Sequence, residues 1–285
     1  MNTIKKSRAA SFIAVTLIYM AASAVGILTY RLLPFSFWLS LLIADMAATV
    51  FTFLFSLIFQ NASVYDPYWS VQPIVIVAAF GLTHGFTLYT ALLFAAIAFW
   101  GIRLTANWAY TFKNLTSQDW RYTMLRDTTK KWYPIINFIG IHSVPTLVVY
   151  AATLPAVYAV RERISGTPLA YLLLLICLFA TLLQGVSDIE MHVYKKERKT
   201  PFIRIGLWRY ARHPNYLGEI LMWWGIALSV VFASGVYPLT LGAILNTVLF
   251  FSVSIPMAEK RQGRKAGFDE YKRETRLLLP LPKRK

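Results

Sequence analysis

Runs of about 20 apolar residues recur along this chain, each long enough to cross a hydrocarbon core about 30 Å thick. Eight such segments can be marked, at 10–30, 37–60, 71–83, 86–106, 135–159, 168–193, 215–233 and 237–258. The third is short, and its loss would leave seven. Hydrophobic residues make up 57% of the sequence, which excludes an ordinary soluble globular class. The expected architecture is all-α and polytopic, with about eight transmembrane helices (seven in the alternative) and a cytoplasmic polar cap over an intramembrane cofactor pocket. The first run lacks a small-residue cleavage pattern before Arg31, so it is expected to be a span and not a cleaved signal.

The net charge of +16 would suit nucleic acid, but its distribution argues against that partner. The bases gather in alternate connections: Lys5, Lys6 and Arg8; five from Lys113 to Lys131; seven from Lys195 to Arg212; and ten after Met257. Only Arg31, Arg161 and Arg163 fall on the other side, while Arg103 sits near a span end. By the positive-inside rule this favours an even number of crossings with both termini cytoplasmic. No repeat or linker long enough for a second domain is visible.

Several polar residues need an account at membrane depth. Asp45 falls within the second segment, where pairing with a neighbouring helix is its plainer reading. Asp66 and Tyr68 lie in Tyr65-Asp66-Pro67-Tyr68-Trp69-Ser70, either interfacial anchors or an acid and phenol able to donate a proton or hold a carbonyl. Arg103 can snorkel to the interface. Gln184, Asp188 and Lys195 share one helical stripe, and an acid at this depth does not favour lipid. The following loop carries Arg198, Arg204, Arg209 and Arg212, guanidinium forks suited to phosphate.

Arg212-His213-Pro214-Asn215-Tyr216-Leu217-Gly218-Glu219 joins that basic loop to the seventh segment. Proline suits a first helical turn, and Asn215 and Glu219, four apart, share a face. Downstream, Glu259 and Arg264 are placed to close the same polar region. The four histidines, at 84, 142, 192 and 213, do not form a helical zinc pair, so no metal site is expected. No glycine-rich phosphate loop or nucleophile elbow occurs. Cys177, the one cysteine, lies in an apolar run and reads as packing.

These stretches resemble the bacterial membrane proteins of the steroid 5α-reductase family, particularly its C-terminal reductase domain. The resemblance is carried by Gln184-Gly-Val-Ser-Asp188, by Gly206 through Glu219, and by Phe268 through Pro280. It covers roughly residues 37 to 282. Residues 1–36 then read as an additional N-terminal transmembrane helix, and 37–285 as the reductase-like membrane domain.

The resemblance implies NADPH-dependent reduction of the carbon–carbon double bond of a hydrophobic α,β-unsaturated ketone, steroid- or lipid-like, drawn from the bilayer of a bacterial inner membrane. Arg103, Gln184 (for a family Asn), Asp188, Lys195, Asn215 and Glu219 match cofactor-binding positions. Arg204, Tyr210, Arg212, His213, Tyr216, Glu259 and Arg264, in or beside the shared motifs, complete that set. The family's ketone-binding glutamate has no identical counterpart, and Asp66 is the nearest acid. Its catalytic tyrosine aligns near Trp100, which leaves Tyr68 as the candidate phenol. The Arg-His-Pro-x-Tyr-x-Gly core is also similar to isoprenylcysteine and phospholipid methyltransferases, which use S-adenosylmethionine. The seven bases from Lys195 to Arg212 favour the phosphate-bearing NADPH. A non-catalytic lipid-binding protein is a further alternative.

Overall fold

The apolar runs become helices because, in lipid, each backbone N–H and C=O must find its partner within the segment. A computed structural model describes residues 2–281. Met1 and residues 282–285, with the bases Lys283, Arg284 and Lys285 counted above, lie outside the described residues. The described chain is helical in the order α1 (Asn2–Lys6), α2 (Arg8–Leu32), α3 (Phe37–Ile58), α4 (Tyr68–His84), α5 (Leu88–Thr111), α6 (Trp120–Thr129), α7 (Tyr133–Ile136) and α8 (Val144–Arg161). It continues with α9 (Pro168–Glu197), α10 (Pro214–Ser234), α11 (Leu241–Leu249), α12 (Ile255–Gln262) and α13 (Phe268–Glu274). Pairing between extended segments among these residues is confined to an isolated bridge between Ala211 and Arg276.

Seven helical stretches are long and apolar enough to cross a membrane: Arg8–Leu32, Phe37–Ile58, Leu88–Thr111, Trp120–Arg161, Pro168–Glu197, Pro214–Ser234 and Tyr237–Gln262. This marks an integral membrane protein. The count among the described residues is the smaller of the two expected from sequence. The difference is the segment at 71–83, which lies in α4, a helix of 17 residues with Pro73 inside it. At 1.5 Å per residue that helix is about 25 Å long, at the lower limit for a span. Trp120–Arg161 is a composite in which the π-helical stretch Asn137–Ser143 separates α7 from α8.

Local chemistry sets the ends. Ser7 caps α2 by accepting from the Ala10 N–H at 3.3 Å, and Thr167 caps α9 by accepting from Ala170 at 3.2 Å. Pro168 and Pro214 each occupy a first turn, where their missing N–H costs nothing. Gly235, at φ +74°, ends α10 in the left-handed conformation.

The chain divides into two compact units, Met1–Ala79 with Leu104–Tyr150, and Phe80–Arg103 with Ala151–Lys285. In the first, α2 packs against α3, and Tyr19 donates from its hydroxyl to the Val64 carbonyl at 2.6 Å. In the second, α9 and α10 run closely together. Gly218 permits that approach, since a Cβ there would lie 2.6 Å from the Ala180 carbonyl oxygen. Seven residues on, a Cβ at Gly225 would meet the Cys177 sulfur at 2.6 Å. Small residues at such spacing let two membrane helices touch through their backbones.

Candidate functional site

The second unit gathers several of the residues singled out from sequence. Arg103 comes from α5, Gln184 and Asp188 from α9, and Glu219 from α10. The stripe spacing on α9 and the second-turn position of Glu219 on α10 turn these side chains toward one another. Arg103 Nη1 donates to Asp188 Oδ2 at 2.6 Å, and Arg103 Nη2 donates to Gln184 Oε1. Gln184 Nε2 in turn donates to Glu219 Oε2 at 2.9 Å. Glu219 is 5% exposed and also accepts from the indoles of Trp100 at 2.8 Å and Trp223 at 2.9 Å. Three donors around one buried carboxylate offset much of its desolvation.

Trp100 is thus a hydrogen-bond donor to Glu219, with its ring edge-on to Trp223 at 4.9 Å. Trp223 was not singled out from sequence, although its place four residues after Glu219 put it on the same helix face. Two polar atoms beside this network are buried without a protein partner: Arg103 Nε, a donor, and Asn215 Oδ1, an acceptor.

The rest of the expected cofactor set falls elsewhere within the same unit. Lys195, Arg204, Tyr210 and Arg264 are exposed. Arg204 stacks over Phe202 at 4.6 Å and donates to the Gly267 carbonyl at 2.8 Å, so part of its fork holds the C-terminal segment. Arg212 is buried and turned to that segment also. Its Nε donates to Glu259 Oε1 at 2.9 Å, and its Nη1 to the carbonyls of Thr275 at 2.8 Å and Lys272 at 3.1 Å.

His213 Nε2 donates to the same Glu259 oxygen at 2.9 Å. The His213 ring stacks on Tyr216 at 5.1 Å. Backbone bonds from Arg212 to Arg276 and from His213 to Leu277, at 3.0 and 3.1 Å, seat the C-terminal tail against the start of the motif. Arg212, His213 and Glu259 therefore form a clamp on that tail.

Asp66 and Tyr68 belong to the first unit. Asp66 accepts from the Tyr122 hydroxyl at 2.7 Å. Burial, followed by the neighbouring charge of Asp119, raises its carboxyl to about 7 against the opposing effects of Arg121 and the Tyr122 bond. Tyr68 is buried, and its hydroxyl lies 3.4 Å from Asp45 Oδ1. Asp45 also accepts from Gln72 Nε2, so its expected interhelical pairing is present. Among the described residues no cluster of His, Cys, Asp and Glu is arranged to hold a metal, and Cys177 is buried.

A family model described as protein of unknown function (DUF1295) matches residues 52–275. One relative is an uncharacterized protein of Schizosaccharomyces pombe, 27% identical over 238 residues, an alignment covering 72% of this chain and 68% of the relative. No solved structure matches.

Proposed function

Since this chain belongs to the DUF1295 family, whose description leaves the activity open, we propose from its own residues that it is an NADPH-dependent membrane reductase. Its substrate is the carbon–carbon double bond of a hydrophobic α,β-unsaturated ketone taken from the bilayer. The observation that carries the reading is the Arg103–Gln184–Asp188–Glu219 network in the second unit. Charged and amide groups held at membrane depth are costly and mark functional sites. This network also leaves one buried donor, Arg103 Nε, and one buried acceptor, Asn215 Oδ1, for a ligand.

The donor set suits a phosphate-bearing dinucleotide. Lys195, Arg209 and Arg264 are exposed cations in the same unit, able to pair with phosphate oxygens. Asn215 Oδ1 can accept from a ribose hydroxyl or a carboxamide. Asp188 and Glu219, each tied to fixed donors, hold Arg103 and Gln184 in one orientation, so these contacts need no rearrangement on binding. Bound there, the cofactor supplies the hydride for the β-carbon of the ketone. In this reading Asp66 is the acid nearest in sequence to the family's ketone-binding glutamate and Tyr68 the candidate phenol, and an acid titrating near neutrality suits Asp66 to a proton-donating role.

In this proposal both termini face the cytoplasm of a bacterial inner membrane. That arrangement requires α4 to cross as well. A bilayer thinned locally, or flanking residues that snorkel, can accommodate a helix of its length.

Thermal unfolding of the purified protein, titrated with NADPH and separately with S-adenosylmethionine, tests the reading. A ligand at about 100 times its Kd stabilises the folded state by about 2.7 kcal/mol. NADPH is expected to raise the melting temperature in a saturable manner and S-adenosylmethionine to leave it unchanged. Stabilisation by the methyl donor alone overturns the reductase assignment in favour of a methyltransferase.

A further inference from the structure

The helices of the first unit bury a second polar cluster, of which the reductase reading uses only Tyr68. Asp45, Thr49, Gln72, His142 and Thr146 are each 5% exposed or less. The threonine hydroxyls and that of Tyr65 form a chain: Tyr65 to Thr146 at 2.8 Å and Thr146 to Thr49 at 3.1 Å. Tyr68 and Gln72 meet the Asp45 carboxyl. The His142 ring lies 4.6 Å from that of Tyr65.

Two atoms in this cluster have no protein partner, and both are acceptors. The π-helical stretch Asn137–Ser143 brings His142 Nδ1 within 3.0 Å of the Asn137 carbonyl, five residues back. A carbonyl only accepts, so Nδ1 carries the proton, and the neutral ring presents Nε2 as a bare lone pair. Gln72 turns its amide N–H toward Asp45, which leaves its Oε1 likewise unmatched. Such π-turns recur at functional sites, and a buried acceptor without a donor is a rare and costly feature.

A ketone or ester has no donor and cannot satisfy either atom; a hydroxyl, with its one O–H, can satisfy one of them. We propose that the first unit binds the hydroxyl end of a lipid alcohol, which donates its O–H to His142 Nε2. The proposal differs from the reductase reading in the group it invokes, His142, which that reading does not use, and it is tested without cofactor.

The protein in nanodiscs, with NADPH omitted, is titrated with hexadecanol and its methyl ether, and with diacylglycerol and its acetylated counterpart. The expected result is a saturable rise in melting temperature with an alcohol and not with its capped partner; the alcohol that acts identifies a free alcohol or a bilayer lipid as the source. His142→Phe keeps the ring contact with Tyr65 but removes the acceptor, and should weaken apparent affinity about tenfold, as for loss of one buried bond. His142→Gln, whose amide oxygen can accept, should recover part of it. Equal responses to alcohol and capped partner, no response to either alcohol, or full retention in His142→Phe would each overturn the assignment. If His142→Phe does not fold, the contrast between alcohol and capped partner in the natural protein decides.

Discussion

The indole of Trp100 donates to the carboxylate of Glu219 across 2.8 Å, joining α5 to α10 through residues 119 apart in sequence. A tryptophan cannot serve as a proton donor in catalysis, yet its N–H is well suited to holding a buried anion. The position is thus tied to the polar network of the second unit, whatever chemistry that network serves.

Glu219→Gln should therefore destabilise the protein by about 1.5–3 kcal/mol, because an amide N–H would face one of the three donors that now converge on the carboxylate. Trp100→Phe removes one donor from that buried carboxylate and should also cost about 1.5–3 kcal/mol. Chemical or thermal unfolding in detergent measures both. A Glu219→Gln protein as stable as the natural one would mean that the carboxyl is already protonated, and the network would need redrawing.

The close approach of α9 and α10 makes a second contrast. A Cβ at Gly218 would meet the Gln184 side chain at 2.5 Å and the Ala180 carbonyl at 2.6 Å, so Gly218→Ala should cost about 1–3 kcal/mol through overpacking. At Gly185 the nearest atom is Arg103 Cδ at 3.8 Å, ordinary contact. Gly185→Ala is then expected to be neutral or to stabilise by about 0.5–1 kcal/mol, since alanine loses less backbone entropy in a helix. Similar melting temperatures for the two variants would contradict the tight crossing.

Asp66 gives stability a pH dependence. Its carboxyl is raised to about 7 in the folded protein, mainly by burial, against an ordinary value of about 3.9 in the unfolded chain. Between these values the folded state binds more protons than the unfolded state, so the contribution is full below the lower value and is lost as pH rises through the higher. Melting temperature should accordingly fall between about pH 4 and pH 7, and Asp66→Asn should flatten that slope. An unchanged slope in the variant would assign the titration to another group.

Topology can be settled with single cysteines, because Cys177, the one natural thiol, is 1% exposed and inert to an impermeant reagent. Cysteines at Lys6 and at Lys272 are expected to be labelled from the same face of inverted membrane vesicles. Labelling from opposite faces would mean that α4 does not cross and that the seven spans stand alone.

The helical architecture was legible because a bilayer leaves the backbone little choice: an apolar run must close its own hydrogen bonds, and the runs could be counted directly. The segment at 71–83 lies in the 17-residue α4, a length at the lower limit for a span. The stripe from Gln184 to Asp188 and the pair Asn215 and Glu219 were also legible, since helical spacing assigns residues three or four apart to one face. Arg212 was not. Its charge and its place in a basic loop pointed to phosphate, whereas its guanidinium turns to Glu259 and to two carbonyls of the tail.

By itself the sequence determined the composition of each helix face and the place of Pro214 at a helix start. Those are local properties, governed by periodicity and backbone conformation. Only the tertiary structure decided that Trp100 serves Glu219, that Arg212 and His213 share Glu259, and that His142 keeps a bare nitrogen in the first unit. Each joins a side chain to a partner outside its own turn of helix, and no periodic pattern in a single chain records which distant helix will present that partner.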